Sequence, residues 1–120
     1  MKIFIKSDVI NWNEYIKLER SNKYAANALK QEEKRIVGLF AGGAKYKGGY
    51  PIEIVFRPHF KDLRRDLDNT RVKGVIDGLV CCGVIKNDNL TCIRRIVIEP
   101  IFTNSPGLEI EINELNAQIS

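Results

Sequence analysis

Histidine, tryptophan and methionine each occur once in the 120 residues, and cysteine three times. Cys81, Cys82 and Cys92 with a single histidine do not form a zinc set. Zinc takes four sulfur or nitrogen donors at spacings such as C-x2-C, and adjacent cysteines point in different directions. An odd cysteine count without an export signal also argues against a disulfide framework. The three cysteines read as small buried residues near a helix end. Long apolar runs are missing too: stretches such as 78–85 fall well short of the ~20 residues that span a bilayer. The opening Lys2-Ile3-Phe4-Ile5-Lys6 is broken by charge and does not resemble the apolar core of a signal peptide. The expectation is a soluble, cytoplasmic chain with no membrane partner.

What is present is ordinary globular composition, 44% hydrophobic and 28% charged, which excludes disordered and low-complexity classes. The length suits one domain, residues 1–120, with a core of its own. The formal net charge is +4, unevenly spread. Residues 61–95 hold eight bases and five acids, whereas residues 99–120 hold four glutamates and no base. A modest basic excess fits a nucleic-acid partner but does not require one.

Lys2 to Lys6 alternates and reads as a strand. Asn11 can cap a helix, with Glu14 at the capping-box position and Trp12, Tyr15 and Ile16 as its stripe. Ser21 looks like a second cap. From Asn22 to Phe40 the residues Ala25, Ala28, Leu29, Ile36, Leu39 and Phe40 keep helical spacing, and Gly42-Gly43 ends it. Ala44 to Tyr50 reads as a flexible basic loop. Pro51 to Arg57 alternates, with Ile52, Ile54 and Phe56 on one face, and Pro58 to Arg65 reads as irregular. From Asn69 the stripe Val72, Val75, Ile76, Leu79, Val80 predicts a helix stopped by Gly83. Ile93 to Phe102 reads as a strand with Pro100 at an edge or bulge, followed by a turn and the alternating Leu108 to Ile112, so the pair predicts a hairpin. The predicted fold is α+β, in the order β-α-α-β-α-β-β, a small mixed sheet packed against helices.

One cluster stands out: Arg64-Arg65-Asp66-Leu67-Asp68-Asn69, followed by Lys73, Asp77 and Asp88. In an extended segment Asp66 and Asp68 share a face. Two carboxylates so placed repel unless a cation sits between them. The turn at Gly83 can return Asp88 towards them. Three oxygen donors without cysteine or histidine suit Mg²⁺, with Mn²⁺ as a substitute. Arg64 and Arg65 make sense there if a phosphate also enters, the layout of metal-assisted phosphodiester hydrolysis. The alternative is structural: Asp68 or Asn69 as a helix cap, and Asp66 paired with Arg64 or Arg65 on the surface.

These residues, with Leu79, Gly83 and the closing Gly107-Leu108-Glu109-Ile110-Glu111-Ile112, resemble the RusA family of Holliday-junction resolvases over about residues 57–112. Members are small dimeric endodeoxyribonucleases, often from phage or prophage. The resemblance implies that Asp66, Asp68 and Asp88 are metal-binding catalytic acids and that Lys73 is the catalytic-region lysine. Asp77 matches a recurrent helix acid. This chain departs from the family at Asn87, where an acid is common. It also has one extra residue between Asp68 and Lys73, and a helical pattern replaces the family's proline-rich N-terminal loop.

The leading expectation is a Mg²⁺-dependent endonuclease that resolves four-way junctions in DNA recombination and repair. It would act as a homodimer, with Arg57, Lys61, Arg64, Arg65 and Arg71 holding phosphates. The alternatives are a nuclease for flaps or other branched DNA with the same site, and a DNA-binding module without activity.

Overall fold

The strand Ile52–Phe60 organises the molecule, because its even-numbered residues are all buried while the odd-numbered ones, Val55 apart, are partly exposed. Ile52, Ile54 and Phe56 are fully buried, while Glu53 and Arg57 on the other face are partly exposed. The computed structural model describes residues 1–6, 23–60, 72–105 and 107–115. Within them the order is β1 (Lys2–Ile5), α1 (Lys23–Ala41), β2 (Ile52–Phe60), α2 (Val72–Cys81), β3 (Ile93–Ile98), β4 (Ile101–Phe102) and β5 (Leu108–Glu114). The α+β expectation holds. The helix expected from Asn11 lies outside the described residues.

The sheet order is β1-β5-β2-β3, with β4 also pairing β2. β5 is antiparallel to both β1 and β2, and β3 and β4 are parallel to β2. The predicted hairpin is therefore wrong: β2 lies between β3 and β5. The alternation in both segments is real. However, β3 and β4 pair with β2 in parallel and β5 pairs with it in antiparallel fashion, so the two segments do not fold back on each other. β2 also runs three residues further than expected, through Pro58. Backbone N–H groups alternate sides along a strand: Ile52 donates to Cys92 and His59 to Gly107. Position 58 thus faces the side where Glu99 and Pro100 interrupt the partner strand, so the missing proline donor costs no ladder bond.

The inner face of the sheet carries Ile3 and Ile5, Ile52, Ile54 and Phe56, and Leu108, Ile110 and Ile112, all buried in one core with Val37, Val75, Ile76 and Leu79 of the helices. α2 follows its predicted stripe. α1 is rotated relative to prediction: Glu33, Val37 and Ala41 are buried, whereas Leu39 is 64% exposed and Ala28 is exposed. Spacing alone could not fix this phase. The deciding contact is with α2, whose glycines admit α1 closely. A Cβ on Gly78 would stand 2.9 Å from Cβ of Val37, and one on Gly74 would stand 2.7 Å from Oε1 of the buried Glu33. The cysteines also divide: Cys92 is buried as expected, but Cys81 and Cys82 at the end of α2 are exposed, and all three are free thiols.

The outer face is charged. Arg57 donates from one guanidinium nitrogen to Glu109 and to Glu111, each at 2.8 Å. Lys2 lies 3.9 Å from Glu111, and Arg95 pairs with Glu53 at 3.1 Å. The hydrogen bond from Arg57 holds the Glu111 carboxyl below its ordinary value of 4.5, helped by Asn113 and opposed by partial desolvation. Among the described residues no helix is long and apolar enough to cross a membrane.

Two predictions follow from this packing. Gly78→Val should destabilise the protein by about 1–3 kcal/mol through overpacking. Adding Val37→Ala should cost less than the sum of the two single changes, because the sites touch. Additive denaturation energies would contradict that contact. The second concerns acid. A carboxyl whose pKa is depressed by folding contributes stability above its unfolded value, and that stability is lost as pH falls through the folded one. The stability gap between wild type and Arg57→Met should therefore shrink as pH is lowered from 7 through about 4.5 and below. A gap constant over that range in urea titrations would show that the bridge contributes nothing.

Candidate functional site

Asp88 lies in the connection from α2 to β3, and that connection is built from well-understood parts. Gly83 adopts a left-handed conformation, φ 81°. Its N–H donates to Val80 and that of Val84 donates to Leu79, at 3.1 and 2.9 Å. This is a Schellman closure, for which glycine is the favoured residue. Val84 and Ile85 then plunge into the core, and Lys86 to Thr91 emerge into solvent. The far end is tied by Asn89. Its side-chain oxygen accepts from the N–H and hydroxyl of Thr91, and its carbonyl accepts from the N–H groups of Cys92 and Ile93.

Between these anchors Asp88 is exposed, and among the described residues its carboxylate makes no ion pair or hydrogen bond. Its N–H donates to Oδ1 of Asn87 at 2.7 Å. Asn87, the departure from the family pattern, thus uses its side-chain carbonyl to brace the backbone of Asp88.

Lys73 stands in the first turn of α2, exposed, with Asp77 one turn later and partly buried. Although four residues apart on one helix, the spacing at which opposite charges can pair, they form no ion pair with each other among the described residues. α2 returns the chain from the C-terminal end of β2 to the N-terminal end of β3. The rise from Lys73 to the helix end at Cys81 is about 12 Å. No bond joins Lys73 to Asp88, and the described residues contain no group of three or more acids, cysteines or histidines able to hold a metal. The expected partners Asp66 and Asp68 lie outside the described residues, as do Lys61, Arg64, Arg65 and Arg71.

Arg57 is on the outer face, its charge engaged by Glu109 and Glu111. A phosphate contact there would have to compete with two carboxylates. Two features escaped sequence reading. One is the buried Glu33, which the helical glycines at 74 and 78 could have signalled as a close-approach face. The other is the docking of the basic loop, residues 44–50, onto the Asp88 connection. The N–H of Tyr46 donates to the carbonyl of Val84 at 2.9 Å, and the N–H of Lys86 donates to the Tyr50 hydroxyl at 3.1 Å. The Lys86 ammonium lies 5.1 Å from the centre of the Tyr50 ring. Tyr46 meets Tyr50 edge-on at 5.5 Å, and burial, then Glu114, raises the Tyr46 phenol above its ordinary value of 10.0.

No curated protein matches the chain. The family model described as "Endodeoxyribonuclease RusA" matches residues 2–113, which takes in the Arg64-to-Asn69 cluster, Lys73, Asp88, and every described strand except the last residue of β5. A match over nearly the whole length, on a mixed sheet with an exposed, unpaired acid braced at the end of its crossover, places the chain in the RusA endodeoxyribonuclease family.

Proposed function

We propose that this protein is a divalent-metal-dependent endonuclease that resolves four-way DNA junctions by paired phosphodiester hydrolysis. The observation that carries the reading is the family match over residues 2–113. The exposed carboxylate of Asp88 supports a metal site, being a hard oxygen donor not consumed by any cation among the described residues. In this reading Asp66, Asp68 and Asp88 hold a Mg²⁺ ion, with Mn²⁺ as a substitute. The ion supplies Lewis-acid polarisation of a phosphoryl oxygen and a lower pKa for the attacking water. Asn87 fixes the backbone that presents Asp88. Lys73, free of Asp77, has a flexible stem that can bring an ammonium to the scissile phosphate and stabilise the charge that builds on its oxygens. A homodimer would place two such sites symmetrically, one for each of two opposed strands.

The test is a labelled four-way junction beside a linear duplex of the same sequence, with Mg²⁺, Mn²⁺ or EDTA. Cutting of the junction alone, with metal, is the expected result, and equal cutting of flaps and forks would move the substrate to branched DNA generally. Asp88→Asn should abolish cutting and retain or tighten junction binding, because it removes a metal ligand and a charge that repels phosphate. Lys73→Ala should slow cleavage by at least ~10²-fold with little change in affinity. A folded Asp88→Asn protein that still cuts at the wild-type rate would remove this residue from the site. Sedimentation should give twice the 13.7 kDa chain mass.

A further inference from the structure

We infer that the docked pair of loops, residues 44–50 and 84–88, forms a phosphate-binding strip that holds a DNA strand beside Asp88. Its cationic groups are Lys45, Lys47 and Lys86. The inference rests on the nuclease reading for the identity of the polyanion, and on the geometry for the place.

Three observations point to it. First, Lys45, Lys47 and Lys86 are exposed, and among the described residues none is paired with an acid. Most charged groups on the outer sheet face are paired instead: Arg57, Lys2 and Arg95 are matched by Glu109, Glu111 and Glu53. A polyanion gains by displacing counterions from free lysines and loses by approaching a face of glutamates.

Second, the strip is braced. Tyr46 is bonded to Val84, so Lys45 and Lys47 flank a fixed point of the other loop, and Val84 and Ile85 anchor that point in the core. Lys86 is held at its N–H by the Tyr50 hydroxyl, and its ammonium rests near the ring. A group already confined loses less freedom when it binds.

Third, Lys86 is two residues from Asp88, whose carboxylate would itself repel a phosphate. Positive charge two residues along the same connection offsets part of that repulsion.

The experiment measures junction binding in EDTA as a function of salt, where cutting plays no part. The variant Lys45→Ala/Lys47→Ala/Lys86→Ala should flatten the slope of log affinity against log salt by about 2–3, since each phosphate contact contributes about 0.9. Lys2→Ala, on the outer face, should leave the slope unchanged. Its thermal unfolding and that of the triple variant are checked against wild type. As a measurement on the unmutated protein, Lys45, Lys47 and Lys86 should be protected from acetylation by bound junction and Lys2 should not. An unchanged slope in the folded triple variant, or acetylation undiminished by DNA, overturns the strip. Wild-type protein that binds junctions with this lysine dependence yet never cuts them sustains the strip and overturns the nuclease reading. Failure of the wild type to bind DNA at all overturns both.

Discussion

The parallel pairing of β3 with β2 is the constraint on which the rest depends. Parallel neighbours cannot be joined by a tight turn, so the chain must leave the end of β2, return along the sheet, and re-enter beside its start. α2 makes that return. Its buried stripe must sit on the inner face of the sheet, and Gly74 and Gly78 let α1 close over it. The crossover therefore delivers residues 82–92, with Asp88, to the N-terminal end of β2. The chain that enters β2, residues 44–50, is already there. The meeting of the basic loop with the connection that carries the acid follows from topology.

The same sheet separates two electrostatic surfaces. Its outer face has alternating side chains of β1, β2, β3 and β5 that pair across strands, with Arg57 bonded to two glutamates at once. Such partly exposed pairs contribute modestly to stability. Their larger effect is on the field of that face, where among the described residues Lys2, Arg57 and Arg95 are matched by Glu53, Glu109 and Glu111. The cationic groups left unmatched among the described residues include those of the two docked loops.

Much of the architecture could be read directly. Period-two alternation located β2 and β5, helical spacing located α2, and Gly42, Gly43 and Gly83 marked helix ends with the left-handed glycines that the structure contains. These signals are local, and local sterics suffice to produce them. The errors came where a choice between partners decided. The β3 and β5 segments look like hairpin partners in the sequence, because nothing in an alternating pattern says which strand it will pair with. The rotation of α1, which buries Val37 and Glu33 and exposes Leu39, is set by the close approach to α2. Exposure of Cys81 and Cys82 follows from where α2 stops.

For the site, the chemistry belongs to the sequence. An Asp-Leu-Asp-Asn cluster with Lys73, Asp77, Gly83 and Asp88 at their spacings carries the likeness to the RusA family, and the family match bears that likeness out. Residue types and spacings are enough for that likeness, because a family pattern is itself made of residue types and spacings. Only the tertiary structure decided that Lys73 is not tied to Asp77, that Arg57 is engaged by glutamates, and that the loop of Lys45 and Lys47 is bonded to the connection that carries Lys86 and Asp88. Those outcomes depend on which charges meet across strands and loops far apart in the chain, and a charge's partner is a property of the folded surface.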